Sequence, residues 1–120
     1  DLREAYIASA TDGVRSVLQL GSTVLRPRAY ALHANFPNPF NPSTSIEYTL
    51  PEASPLRLAI YDILGQQVRE LAAHPLQPAG FYQLRWNGRD DNDQGVASGV
   101  YFYRLKTPSF TQTRKMTLVK

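Results

Sequence analysis

NFPNPFNPST, residues 35–44, runs directly into TSIEYTLP, residues 44–51, and this junction decides the architecture. Pro37, Pro39 and Pro42 each fix φ near −65° and remove a backbone donor, so residues 35–44 fit neither a helix nor a central strand. They read as a rigid, extended entry whose Phe36 and Phe40 are expected to plug a core. Immediately after it the period changes: Ile46, Tyr48 and Leu50 alternate with polar residues, as in a strand with one buried face.

The same alternation recurs to the end of the chain, at Leu56, Leu58 and Ile60, at Tyr82, Leu84 and Trp86, at Tyr101, Tyr103 and Leu105, and at Met116 and Leu118. Turn-forming residues separate these runs at 51–55, 62–65, 75–80, 87–95 and 107–109. Asp62-Ile63-Leu64-Gly65 predicts a tight turn in which Asp62 caps its own backbone and Gly65 takes positive φ, making a hairpin of residues 56–61 and 67–71. Alternation turns Tyr82, Trp86, Tyr101 and Tyr103 inward and leaves Phe81 and Phe102 on the other face, which favours a core over a sugar-stacking platform. The fold class is all-β: about seven short strands around one large ring, Trp86, fit an immunoglobulin-like antiparallel β-sandwich without its disulfide, preceded by an extended N-terminal arm.

At 120 residues the chain has room for one two-layer domain and little more. No apolar run approaches the ~20 residues of a membrane helix, so no membrane span is expected. Cysteine is absent, which excludes a disulfide framework and thiolate metal sites. The chain opens at Asp1 with neither initiator methionine nor leader-like segment, as a processed protein or a cut fragment would. The net charge of +3 is unevenly spread: Arg104, Lys106, Arg114, Lys115 and Lys120 fall in the last seventeen residues with no acid among them. Such a bias can orient a partner or a neighbouring copy. A nucleic-acid surface calls for a denser basic stripe interleaved with aromatics, and no nucleic-acid partner is expected.

The chemistry-bearing candidates are few. Asn87-Gly88-Arg89-Asp90-Asp91-Asn92-Asp93-Gln94-Gly95 concentrates oxygen ligands, and Asp90, Asp91 and Asp93 would be the ligands of a calcium ion. The order of acids departs from the EF-hand loop and lacks its terminal bidentate Glu, and the same residues also suit a hairpin loop that caps itself. His33 and His74 stand far apart without metal-ligand spacing. No serine sits in a Gly-x-Ser-x-Gly elbow and no glycine run cradles a phosphate. These absences point to a recognition or assembly module and not to an enzyme, and no cofactor is called for.

Taken in order, the blocks at 35–51, 56–65, 79–90, 97–105 and 114–120 closely resemble the C-terminal sorting domains of proteins exported by the type IX secretion system of Bacteroidetes-like bacteria. The resemblance covers residues 30–120. It implies an immunoglobulin-like module on an exported protein, recognised by the outer-membrane secretion machinery and destined for the cell surface or the extracellular space via the periplasm. In that family the final strand and its basic and apolar residues matter most, which here maps to Arg114, Lys115, Met116, Leu118, Val119 and Lys120. An edge strand of this kind offers backbone pairing, with selectivity from alternate side chains.

Residues 1–29 lie outside the resemblance and form the arm. Val14, Val17, Leu18, Leu20, Val24 and Leu25, broken by Gly21, make a strand-like segment that either joins its own sandwich, ends a preceding domain, or completes an edge on a neighbouring copy. Sorting domains usually terminate much larger cargo. An alternative therefore stands beside the sorting reading: a self-assembling filament or surface-layer subunit, a homo-polymer whose arm pairs in trans.

Overall fold

The computed structural model describes residues 26–120, together with the backbone of two short strands before them, β1 (Gln19–Leu20) and β2 (Thr23–Val24). Those two strands pair antiparallel with each other, Gln19 opposite Val24 and Leu20 opposite Thr23. Of the six proposed donor-strand positions, Val14, Val17, Leu18 and Leu25 lie outside the described residues, as do the side chains of Leu20 and Val24.

Seven strands form the sandwich: β3 (Ala31–Leu32), β4 (Thr44–Leu50), β5 (Ser54–Tyr61), β6 (Gln67–Gln77), β7 (Gly80–Trp86), β8 (Gly99–Lys106) and β9 (Thr111–Leu118). A three-stranded sheet in the order β3-β4-β7 faces a four-stranded sheet in the order β6-β5-β8-β9, and every neighbouring pair is antiparallel. The chain is all-β and no helix occurs among the described residues. The alternating positions read from the sequence meet between the sheets: Ile46, Tyr48 and Leu50 from one layer, Leu56, Leu58, Ile60, Tyr101, Tyr103, Leu105, Met116 and Leu118 from the other. Full burial of each such side chain contributes roughly 1.5–3 kcal/mol, which is what holds a cysteine-free sandwich together.

Trp86 closes one end of this core. Its ring meets Tyr101 edge-on at 5.4 Å and 71° and tilts against Phe40 at 5.6 Å. Its indole N–H donates to the Arg89 carbonyl at 2.9 Å, so the one polar atom of the ring is satisfied although the residue is buried. The turn at 62–65 forms as expected: Asp62 Oδ1 accepts from the amides of Leu64 and Gln66, and Gly65 sits at φ +82°.

Three expectations need correction. Phe40 is a core plug at 2% exposure, whereas Phe36 stands 79% exposed: it bridges Ser45 through its backbone and projects its ring outward. Pro75, read as a turn residue, lies inside β6, which tolerates it because β6 is an edge strand with one side free of ladder bonds. Tyr82 and Leu84 turn inward but are only half-buried, since β7 is also an edge strand and its inner face lies at the rim of the sandwich. Tyr82 compensates by stacking on Tyr48 at 5.2 Å and donating to the Pro78 carbonyl.

Candidate recognition strand

β9 pairs with β8 in unbroken register from Lys106↔Thr111 to Gly99↔Leu118, and its other side is a sheet edge. Even-numbered positions point into the sandwich. Met116 and Leu118 are therefore core residues and present no side chain to a partner in the folded domain. Arg114 is half-buried, and its Nε donates to the Leu32 carbonyl at 2.6 Å, tying β9 to β3 of the opposite sheet. Beside it the Tyr103 hydroxyl donates to the His33 carbonyl at 2.7 Å. Burial pushes the Tyr103 phenol above its ordinary value, as it does those of Tyr101 and Tyr82, and drives Tyr48 up to about 12. These hydroxyls stay neutral at physiological pH and act as structural donors.

The proline-rich segment does more than enter the sheet. Beyond Pro39 the chain lies parallel to the end of β9: the Phe40 amide donates to the Thr117 carbonyl, and the Val119 amide donates back to the Phe40 carbonyl, each at 2.9 Å. Asn38 Oδ1 accepts the Thr117 amide at 3.0 Å. The Lys120 amide donates to Ser98 Oγ, also at 3.0 Å. The last third of the strand edge is thus latched. Because outward backbone groups alternate along a strand, Thr111, Thr113 and Lys115 share the outward phase of Thr117, and their outward donors and acceptors meet no backbone partner among the described residues. Of the six residues expected to recognise a partner, Lys115 is exposed on the free stretch, Val119 is 48% exposed and Lys120 reaches over Gly95, while Arg114, Met116 and Leu118 serve the fold.

Gly88 marks where the latch, the end of β7 and the end of β9 converge. It takes φ +76°, and a Cβ there would stand 3.2 Å from the Pro42 carbonyl oxygen and 3.6 Å from Leu118. The neighbouring acidic loop is an internal brace. Asp90 Oδ1 accepts from the amides of Asn92 and Gln94, and Asp91 accepts the Glu70 amide and Gln67 Nε2. Those last two bonds, the Glu70 amide foremost, hold the Asp91 carboxyl below the usual carboxylate range. Asp93 adopts φ +62°, and its carbonyl accepts from Arg89 Nη1. The three carboxylates proposed for calcium are not gathered at one point, and no group of three His or acidic side chains among the described residues is placed to hold a metal ion. Among those residues no helix is long and apolar enough to cross a membrane.

A family model for the FlgD Ig-like domain matches residues 41–109, more than half of the 120. The chain belongs to the FlgD Ig-like domain family. Among solved structures this Ig-like domain is similar to part of dimeric latent PorU from Porphyromonas gingivalis, at 20% identity and a TM-score of 0.59, over 72% of this chain and 9% of PorU. A second similar structure is PorZ, a surface component of the type IX secretion system of the same organism, at 18% identity and a TM-score of 0.49, over 76% of this chain and 11% of PorZ. At these identities the likeness is one of fold, and this Ig-like domain spans only a small share of either protein. No curated protein matches. The family match begins after Phe40 and ends before β9, so both halves of the latch lie outside it.

The latch was missed from sequence because proline spacing reports a rigid extended chain without saying what it lies against. Asn38 and Phe40 alternate with the prolines in a way that leaves one acceptor and one amide facing sideways, and that is the only hint the sequence offers.

Proposed function

We propose that this Ig-like domain is a non-enzymatic sorting module of an exported bacterial protein, with residues 30–120 as the module and residues 1–29 as the arm that joins it to whatever precedes. The outer-membrane secretion machinery reads it through β9. The observation that carries this reading is the outer edge at Thr111, Thr113 and Lys115, which meets no backbone partner among the described residues, on a strand whose inward Met116 and Leu118 are buried in the core. An edge of that kind accepts an added strand by backbone hydrogen bonds, and Lys115 supplies a charge for selectivity. The ordered motifs resembling type IX sorting domains supply the class of machinery. Export places the domain on the cell surface or outside the cell.

The test is a reporter carrying a secretory leader, fused upstream of the complete chain and expressed in a bacterium that possesses a type IX system. Surface or medium-borne reporter is expected with the intact chain, and periplasmic retention with a chain ending before Thr111. Equal export of both would refute the reading.

A further inference from the structure

The outward face of the four-stranded sheet is basic and partly aromatic. Registers place Tyr61 opposite Phe102, Ala59 opposite Arg104 and Arg57 opposite Lys106 on β5 and β8, with Lys115 beside Phe102 on β9. Arg104 folds over the Tyr61 ring, Cζ 4.7 Å from its centroid, and donates to the Tyr61 hydroxyl at 3.1 Å. Arg57 is held by Glu70 at 3.2 Å and by Gln67 at 2.9 Å. Lys106 and Lys115 have no acidic partner among the described residues. Register places Glu70 beside Ala59 on this face, and Asp91 reaches its β6 margin through Gln67, so four cations meet two carboxylates gathered at one side. The sequence scatters these residues over three strands, which is why no basic stripe was visible in it.

We propose that this face binds an anionic polysaccharide, a chain of sugar rings bearing carboxylate or sulfate groups. Neighbouring strands lie about 4.8 Å apart and alternate residues along a strand about 7 Å apart, so Lys115 stands diagonally from Arg104 and Lys106 follows Arg104 along β8, at intervals comparable to the spacing of successive acidic sugars. Phe102, half-buried at one end beside the Tyr61 ring that Arg104 covers, offers ring surface for the apolar C–H face of a sugar. Single-stranded nucleic acid would instead want stacking rings in series between its phosphate contacts. The choice of a saccharide over a nucleic acid also rests on the export reading; the charge geometry does not. The surface is distinct from the β9 edge, although Lys115 borders both.

Affinity electrophoresis of the purified full chain in gels containing chondroitin sulfate, alginate or neutral dextran tests this independently of any secretion assay. Retardation is expected with the two acidic polymers, weakening with added salt, and none with dextran. Arg104→Gln should weaken binding about threefold and R104Q/K106Q about tenfold, the sizes expected for losing exposed charge contacts. Arg85→Gln, which removes the same charge from the opposite sheet, should leave retardation unchanged; circular dichroism confirms that each variant is folded. The proposal is overturned by absence of retardation, by Arg85→Gln acting as strongly as Arg104→Gln, or by tighter binding to an oligothymidylate or to polyglutamate at equal charge concentration. Loss of polysaccharide binding with export intact would sink this inference alone, and loss of export with binding intact would sink only the sorting reading.

Discussion

The two halves of β9 share one ladder with β8 and differ on the side that faces away from it. From Thr117 onward the edge is occupied by Asn38 and Phe40, and from Thr111 to Lys115 it meets no backbone partner among the described residues. Unpaired edges invite association, and proteins commonly cover or charge them. Here the cover stops where recognition would begin. The opposite edge of the same sheet is treated alike: Asp91 and the carbonyl of Val68 tie the acidic loop to the start of β6, and its later residues carry no such tie among the described residues. Both loops are braces for strand ends, and their prolines and carboxylates are better explained by that duty than by ligand chemistry.

Removing the plug should erase the contrast between the halves most completely. Phe40→Ala takes a buried ring away from Trp86 and loosens the backbone beside Thr117, with an expected loss of about 3–5 kcal/mol in denaturant unfolding. Hydrogen exchange at the Thr117 and Val119 amides should then approach that at Thr113. Gly88→Ala presses on the latch from beneath. Its positive φ alone costs about 1–2 kcal/mol, and the contact with the Pro42 carbonyl adds to it, so the melting temperature should fall while the free half of β9 stays unchanged.

Asn38→Ala sharpens the comparison by touching one bond. It should cost about 0.5–1.5 kcal/mol and raise exchange at the Thr117 amide without altering Val119, which depends on Phe40. The smallest effect belongs to the β6 edge. The folded state holds the Asp91 carboxyl below its ordinary value, so its contribution is present above about pH 4 and fades as pH falls through the lowered folded value. Asp91→Asn should therefore flatten the acid limb of the stability profile slightly, which a pH series of thermal melts would show.

Much of this was legible in the sequence, for identifiable reasons. A period of two states which side chains share a face, and with Asp62, Gly65 and Trp86 it was enough to place the sandwich, the hairpin turn and the large ring of the core. It does not state which strands are edges. That is why Tyr82 and Leu84, inward as expected, proved half-buried, and why Pro75 proved compatible with β6. Phe36 and Phe40 are nearly indistinguishable in context, each beside prolines and asparagines, and only the backbone path turns one ring in and the other out. The basic face was hidden for a related reason: cross-strand register assembles Arg57, Arg104, Lys106 and Lys115 from separate strands, and no local pattern encodes register.

The free half of β9 as the surface read by the export machinery is tested most directly by the location of the exported reporter when Thr113 is changed to proline. Thr113 directs its amide away from β8, so proline there removes an outward donor while sparing the ladder. The account predicts a folded domain with a melting temperature near that of the unmodified chain and reporter held in the periplasm. Reporter reaching the surface at the unmodified level would contradict it.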